Sequence, residues 1–219
     1  MIWINSKDFQ LASTIPLVCE RVSAVKKFRE ESKRVATQKL ANVPFEFAEI
    51  RHRDCENSII VPRVSSESRE YVPMGFLGND TIISDSAMAI YGAPIWLLGV
   101  LESRMHMTWL RAIGGKLKND YRYSAILVYN TFPIPPLSTQ RKNILEDAVL
   151  EMLDVREEEG GTLAELYGGA NKPMNEKLRK AHEKIDGIVE RAYRQEPFKS
   201  DEERLSVLLK LYQEMTIDD

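Results

Sequence analysis

Apolar residues recur along this chain in two rhythms, one helical and one alternating, and the alternating rhythm is confined to the stretch before a run of prolines. Over residues 13–39, Val18, Val22, Val25 and Phe28 follow helical spacing among Lys26, Lys27, Arg29, Lys33 and Arg34. That pattern predicts a helix with a basic face, capped by Ser13 or Thr14 and with Pro16 in its first turn. The basic face reads equally as a solvated surface or as one that meets phosphates. Residues 45–91 read as short strands: FEFAEI, SIIVPRV, REYVPMGFL and DTIISDSAMAIY, broken by Pro62, Pro73, Gly75 and Gly78-Asn79-Asp80. From Ala93 to Ile113 the period is helical, entered at Pro94, with Trp96, Leu97, Val100, Leu101, Met105, Trp109 and Leu110 on one apolar face. Gly114-Gly115 ends it, and SAILVYN (124–130) predicts a further strand.

The prolines lie in TFPIPPLSTQ (131–140), where Pro133, Pro135 and Pro136 can continue neither a helix nor a central strand. A boundary is therefore expected at 136/137. Beyond it the pattern is helical over 138–158, 162–167, 174–194 and 200–215. Leu178, Ala181, Ile185, Ile188, Val189 and Ala192 mark the apolar face of the third of these helices. Leu205, Leu208, Leu209 and Tyr212 mark that of the fourth, with Ser200 and Glu203 as a capping box. The fold class expected is α+β: a mixed β-sheet domain flanked by helices, then an all-α domain.

Composition narrows the class. With 219 residues, 43% of them apolar, the chain can bury a core. No apolar run reaches the roughly 20 residues a membrane helix needs. The opening MIWINSKDFQ lacks the basic start and apolar stretch of a secretory signal. Cys19 and Cys55 read as reduced thiols in a cytoplasmic protein. Net charge is −3, but unevenly spread: +3 over residues 1–136 and −6 over 137–219. A mildly basic part is joined to an acidic one.

The usual signatures of chemistry are missing. There is no phosphate-binding loop of the Walker type, no GxGxxG after a strand and no GxSxG elbow. His52 and Cys55 have metal-pair spacing, but no second pair accompanies them. His106 sits within the Trp-bearing helix and reads as a packed or interfacial histidine rather than a base. Glu157-Glu158-Glu159 reads as a solvated helix end. YNTFPIPP has the wrong order for the Asn-Pro-Pro-aromatic motif of amino-methyltransferases, because Thr131 and Phe132 follow Asn130.

Three longer stretches carry a resemblance: VPRVSSESREYVPMGF (61–76), DTIISDSAMAIYGAPIWLLGVLESRMHMTWLRAIGGKLKNDYRYS (80–124) and VYNTFPIP (128–135). They resemble the target recognition domain of MmeI-like enzymes, single-chain restriction-modification proteins and adenine-specific DNA methyltransferases. Residues 163–215 resemble the helical C-terminal domain of the same family. The resemblance implies a DNA target recognition domain over 1–136 and a helical C-terminal domain over 137–219. It implies double-stranded DNA as a partner, and a methyltransferase domain, in cis or in trans, that binds S-adenosylmethionine. No cofactor and no catalytic residue is expected in this chain itself, and no membrane.

The resemblance also points to GGKLKNDYRYS (114–124) as the stretch that contacts bases, with Lys118, Asp120 and Arg122 at the matching positions, and to Ser86 or Ala87 as a position working with Arg122. Base chemistry agrees. Lysine donates to the acceptors on the guanine major-groove edge and aspartate accepts from the cytosine amine, so the two together can match one G·C pair. By themselves the same residues are compatible with an ordinary solvated turn in which Lys118 and Asp120 pair with each other. Arg51, Arg53, Arg63, Arg69, Arg104, Arg111 and Lys116, with Ser65, Ser66 and Ser68, are candidates for phosphate contacts or structural ion pairs, Arg63 and Arg69 foremost. Tyr121 and Tyr123 alternate along a strand, so at least one is expected to pack inward. The function expected is sequence-specific DNA recognition for a methyltransferase. The alternative is a module that docks on a methyltransferase and binds DNA negligibly by itself.

Overall fold

A computed structural model of the protein describes residues 2–52 and 56–217. The chain divides into two compact units, Met1–His52 and Arg53–Asp219.

The first unit is helical. A short helix α1 (Phe9–Ala12) precedes α2 (Pro16–Glu30) and α3 (Val35–Lys39). The single helix expected over 13–39 is thus broken. Ser32 gives the reason: its hydroxyl accepts the Arg34 N–H at 3.2 Å, a local bond that competes with continuing the helix. Ser13 and Thr14 do not cap α2. Their hydroxyls donate back to the Gln10 and Leu11 carbonyls and close α1 instead. FEFAEI forms no strand. Its rings are used in stacking, Phe45 on Phe9 at 4.0 Å and Phe47 on Trp3 at 5.3 Å.

The second unit holds antiparallel strands and a helical core. β1 (Ser58–Pro62) lies between β3 (Gly75–Leu77) and β4 (Ala87–Tyr91). β2 (Val64–Ser65) follows β1 after one residue and enters a second sheet of order β2-β6-β5, with β5 at Gly115–Leu117 and β6 at Asp120–Arg122. Arg63 is the residue at the crossing. SAILVYN is not a strand. Sheet pairing stops where Tyr123 N–H reaches the Arg63 carbonyl at 2.9 Å, and Ser124 then caps a π-turn over Ala125–Tyr129 closed by Asn130 N–H on the Ala125 carbonyl. A short apolar run does not by itself separate a strand from such a turn.

The expected helix 93–113 is two helices, α4 (Ile95–Leu101) and α5 (Arg104–Ile113). Ser103 restarts the second by accepting His106 N–H, and the break leaves the Glu102 carboxylate inside the protein. The later helices follow the expectation closely: α6 (Thr139–Glu159), α7 (Leu163–Leu166), α8 (Glu176–Tyr193) and α9 (Asp201–Ile217). Leu178, Ala181, Ile185 and Val189 are buried as their spacing requires, whereas Leu209 is exposed. Glu203 N–H bonds Ser200, but its carboxylate turns to Lys199 N–H, so that box is half made. A complete one stands at Thr162 and Glu165. Glu159 is not merely solvated, since it binds Asn175 and Lys177 and ties the end of α6 to the start of α8.

The core runs without a break from Ile59 to Leu208, so the 136/137 boundary read from the prolines falls inside one packed body. A buried polar network crosses the same boundary. Both Glu102 oxygens accept from Arg156 Nη2 at 2.7 Å, and one accepts Met74 N–H at 2.8 Å. Arg156 also reaches the Tyr167 hydroxyl. That hydroxyl lies 2.9 Å from Glu102 Oε1 and 2.8 Å from His182 Nε2, with one proton to give. His182 Nδ1 lies against the Glu102 carbonyl, which only accepts, so Nδ1 carries the ring proton and Nε2 takes the tyrosine's. Beside it, Tyr71 stacks on His182 at 4.3 Å and donates to Asp186, which also accepts Arg104 N–H at 2.6 Å. Burial, the largest cause, raises the Asp186 pKa to about 6 and lowers that of His182 to about 3.

Candidate functional site

GGKLKNDYRYS forms a β-hairpin. Gly114 ends α5 in extended conformation, and a Cβ there would meet the Leu110 carbonyl oxygen at 2.4 Å, so only glycine lets the chain leave the helix this way. β5 then pairs with β6 in the register Gly115↔Arg122, Lys116↔Tyr121 and Leu117↔Asp120. Lys118 and Asn119 make the two-residue turn. Lys118 has φ of 56°, the left-handed conformation tight hairpins demand and lysine rarely adopts.

Strand alternation sorts the side chains. Tyr121 and Tyr123 point the same way and are both buried, while Arg122 is exposed on the opposite face. His106 fixes Tyr123 from below. Its Nδ1 lies 2.6 Å from the Leu101 carbonyl, so Nδ1 carries the proton and Nε2 accepts from the Tyr123 hydroxyl at 3.0 Å. The ring is fully buried, which lowers its pKa to about 4, and it is a packed histidine as the sequence suggested.

Among the described residues, Lys118 and Arg122 have no hydrogen-bond or ion-pair partner for their side chains, so Lys118 and Asp120 do not pair. Asp120 is partly held: one oxygen accepts Glu67 N–H at 3.4 Å. The Glu67 carboxylate lies 3.7 Å from Lys116 Nζ, and Lys116 in turn sits 3.9 Å over the Tyr121 ring and donates to the Asn119 carbonyl. Glu67 thus braces the hairpin from the loop after β2. Nothing local in the sequence marks this contact, because Glu67 and Asp120 are 53 positions apart.

Ser86 is exposed just before β4, and Ala87 opens that strand opposite Pro62. Arg63 Nε donates to the Asp85 carbonyl at 2.6 Å, and Val64 pairs with Arg122. Ser86, Ala87, Arg63 and Arg122 are therefore brought to one place where the two sheets meet.

The phosphate candidates separate. Arg63, Ser66 and Lys116 stay near the hairpin with exposed or half-exposed side chains. Ser65 does not qualify: it is 3% exposed, its side chain turned inward because β2 places it beside buried Tyr121. Arg69 is occupied, its Nε donating to the Gly168 carbonyl at 3.0 Å across the fold. Arg104 and Arg111 are tied to Asp186 and Asp201, and Arg51 pairs with Glu49 in the first unit. Arg53 and Cys55 lie outside the described residues, the second with it the expected His52–Cys55 pair. Among the described residues no cluster of His, Cys, Asp and Glu could hold a metal, and no helix is long and apolar enough to cross a membrane.

Comparison with known proteins bears on this site. A family model described as "MmeI, target recognition domain" matches residues 1–136, and one described as "MmeI, C-terminal domain" matches 137–218. "DNA methyltransferase A" of Bacillus subtilis (strain 168) is 58% identical over 215 residues, covering 98% of this chain and 24% of the relative. The chain thus spans about a quarter of the length of that curated relative. Among solved structures, the Type IIL restriction-modification enzyme MmeI in complex with DNA matches with a TM-score of 0.87 at 34% identity, over 98% of this chain and 28% of that one. The α+β arrangement of the described residues is that of this structure. With matches that reach from end to end, the chain belongs to the MmeI family, in the part that holds its target recognition and C-terminal domains.

Proposed function

We propose that this chain is the sequence-reading part of an adenine-specific DNA methyltransferase or restriction-modification enzyme, and that its β5–β6 hairpin meets base edges in double-stranded DNA. The observation that carries this reading is Lys118. A left-handed backbone costs a side-chain-bearing residue about 1–2 kcal/mol, and glycine would remove the strain. Lys118 gains no packing in return, since its side chain is exposed. Strain kept at an exposed tip supports a task for the side chain itself. Asp120 and Arg122 follow at alternate positions, with Ser86 and Ala87 beside Arg122 at the sheet junction, and these are the base-reading residues proposed. Arg63, Lys116 and Ser66 flank them and suit phosphate contacts, which set register. The DNA held by the solved relative and the methyltransferase activity in the name of the curated one support the class.

In this reading Lys118 and Asp120 together select one G·C pair, guanine facing Lys118. Methyl transfer from S-adenosylmethionine to an adenine swung out of the duplex belongs to a methyltransferase domain, in cis or in trans, in the cytoplasm. The test is a hybrid in which this chain replaces the matching quarter of the B. subtilis relative. Mapping its methylated sites gives the target, and the double variant Lys118→Asp/Asp120→Lys is expected to invert or abolish the choice at one G·C position. An unchanged site would refute the assignment.

The net charge of −3 favours a second reading, a docking module that binds DNA negligibly alone. Binding of the purified chain to random duplex DNA separates the two. Binding that weakens steeply with salt supports the reader, and none at low salt supports the docking module.

A further inference from the structure

The first unit has almost no interior of its own. Ala41 is the one buried residue among its described residues, and none of α2 is buried. What holds the unit together is local: the two aromatic stacks, and Arg29 donating to the Leu40, Val43 and Glu46 carbonyls at 2.7–2.9 Å. Val18, Cys19, Val22 and Arg29 of α2 are partly covered.

A different face of α2 carries Leu17, Ala24 and Phe28. Leu17 and Phe28 are three helical turns apart and so fall in line. Leu17 is 74% exposed and Phe28 73%, and Leu11 and Val35 on the neighbouring helical segments are similarly open. A single exposed leucine needs no explanation. Large apolar side chains lined along one helix, in a unit of about 50 residues with scarcely any core, mark a surface built to be covered.

The relatives' length supplies room for an occupant. The matched part is 24% of the B. subtilis methyltransferase and 28% of the solved MmeI chain, so about three quarters of each relative lies outside it. Around the ridge the charge is mixed: Arg21 lies on one side, Glu20 and Lys27 on the other, and Lys26 on the far side of the helix.

We propose that the Leu17–Ala24–Phe28 ridge of α2 is the surface through which this chain docks on the methyltransferase part of a parent-length protein, in an apolar groove. This rests on the reading that the chain serves a methyltransferase.

The experiment compares hydrogen exchange of residues 16–30 in the isolated chain and in the hybrid with the B. subtilis relative. Exchange in α2 is expected to be at least tenfold slower in the hybrid. The variant Leu17→Asp/Phe28→Asp is expected to remove that protection and lower methylation, while the isolated chain keeps its circular dichroism and its affinity for duplex DNA. Equal exchange in the two proteins overturns the proposal. So does a change of fold in the isolated variant, which would make the ridge part of this chain's own packing. Loss of DNA affinity in the isolated variant would make it a DNA-facing surface. A dimer of the isolated chain that the variant dissociates would make the occupant a second copy. Exchange does not depend on which base pair the hairpin selects, so failure here is distinguishable from failure of the base-reading assignment.

Discussion

Replacing Arg156 by methionine removes the cation that neutralises Glu102 and keeps a side chain of similar length. Glu102 has no exposure to solvent, and both its oxygens rely on Arg156 at 2.7 Å. Taking one partner from a buried ion pair costs about 3–5 kcal/mol, most of it the stranded charge. The stranded carboxyl has one escape, which is to hold a proton. Burial already raises its pKa, and Arg156 is the first of the groups that lower it. In the variant the folded state therefore keeps a proton that the unfolded state releases above about pH 4.3, and stability falls as pH rises, by up to about 1.4 kcal/mol per unit. The expected deficit against the native chain is about 3–5 kcal/mol at pH 7.5 and smaller at pH 5.

Urea unfolding followed by tryptophan fluorescence measures it, with Trp96 and Trp109 reporting from this unit, as a shift in midpoint at unchanged slope. The double variant Glu102→Gln/Arg156→Met is the control. Glutamine still accepts Met74 N–H and carries no charge, so most of the loss is expected to return. A single-variant deficit below about 1 kcal/mol, a deficit independent of pH, or a double variant as unstable as the single would each refute the argument.

Two further outcomes follow from the hairpin and the core. Lys118→Gly is expected to raise stability by about 1 kcal/mol by relieving the left-handed strain. In the hybrid it is also expected to relax the choice at one base pair by about 1–3 kcal/mol, read from urea unfolding and from methylation of single-mismatch sites. The native chain is expected to lose stability as pH falls below about 6.5, because the unfolded chain takes up protons that buried His106 (about 4) and His182 (about 3) refuse. Asp186, raised to about 6, works in the opposite sense between about pH 4 and 6. His106→Gln should flatten the pH 4–6.5 limb by about one proton in a series of urea midpoints. An unchanged limb would mean that the ring is not held neutral.

How far the sequence could be read depended on the range of the forces involved. The helices after Pro136 were readable because each carries its apolar period and its start signal within one stretch, as Leu178 to Val189 in α8 do. The Ser103 break was not, since LLGVLESRMHMTWL keeps a helical period throughout. Yet the lone Glu102 in that run was a signal, for a carboxylate on an apolar face needs a buried cation. Its partner Arg156 sits 54 positions away and has no local mark. Ser65 is turned inward for a related reason: which face of a two-residue strand is covered depends on the strand it joins, here β6. The resemblance singles out the hairpin as a continuous stretch, while Glu67, which braces it, is brought there only by three-dimensional proximity.

Strand alternation gives the hairpin a division of labour. Tyr121 and Tyr123 face inward, and the second is locked by His106, so β6 is anchored by its inward side chains. Asp120 and Arg122 face the other way, and Lys118 stands at the tip. Changing outward side chains on an anchored strand disturbs little packing, and such surface substitutions usually shift stability by less than about 0.5 kcal/mol. Positions 120 and 122 can therefore vary almost independently of the fold, whereas 118 is limited to residues that accept a left-handed backbone. The network of Glu102, Arg156, Tyr167 and His182 allows no such freedom, because each member satisfies a buried partner. Specificity that can drift while the scaffold cannot is what this placement of residues predicts. Substitutions at 120 and 122 should be tolerated in combination, where single substitutions in the network are not.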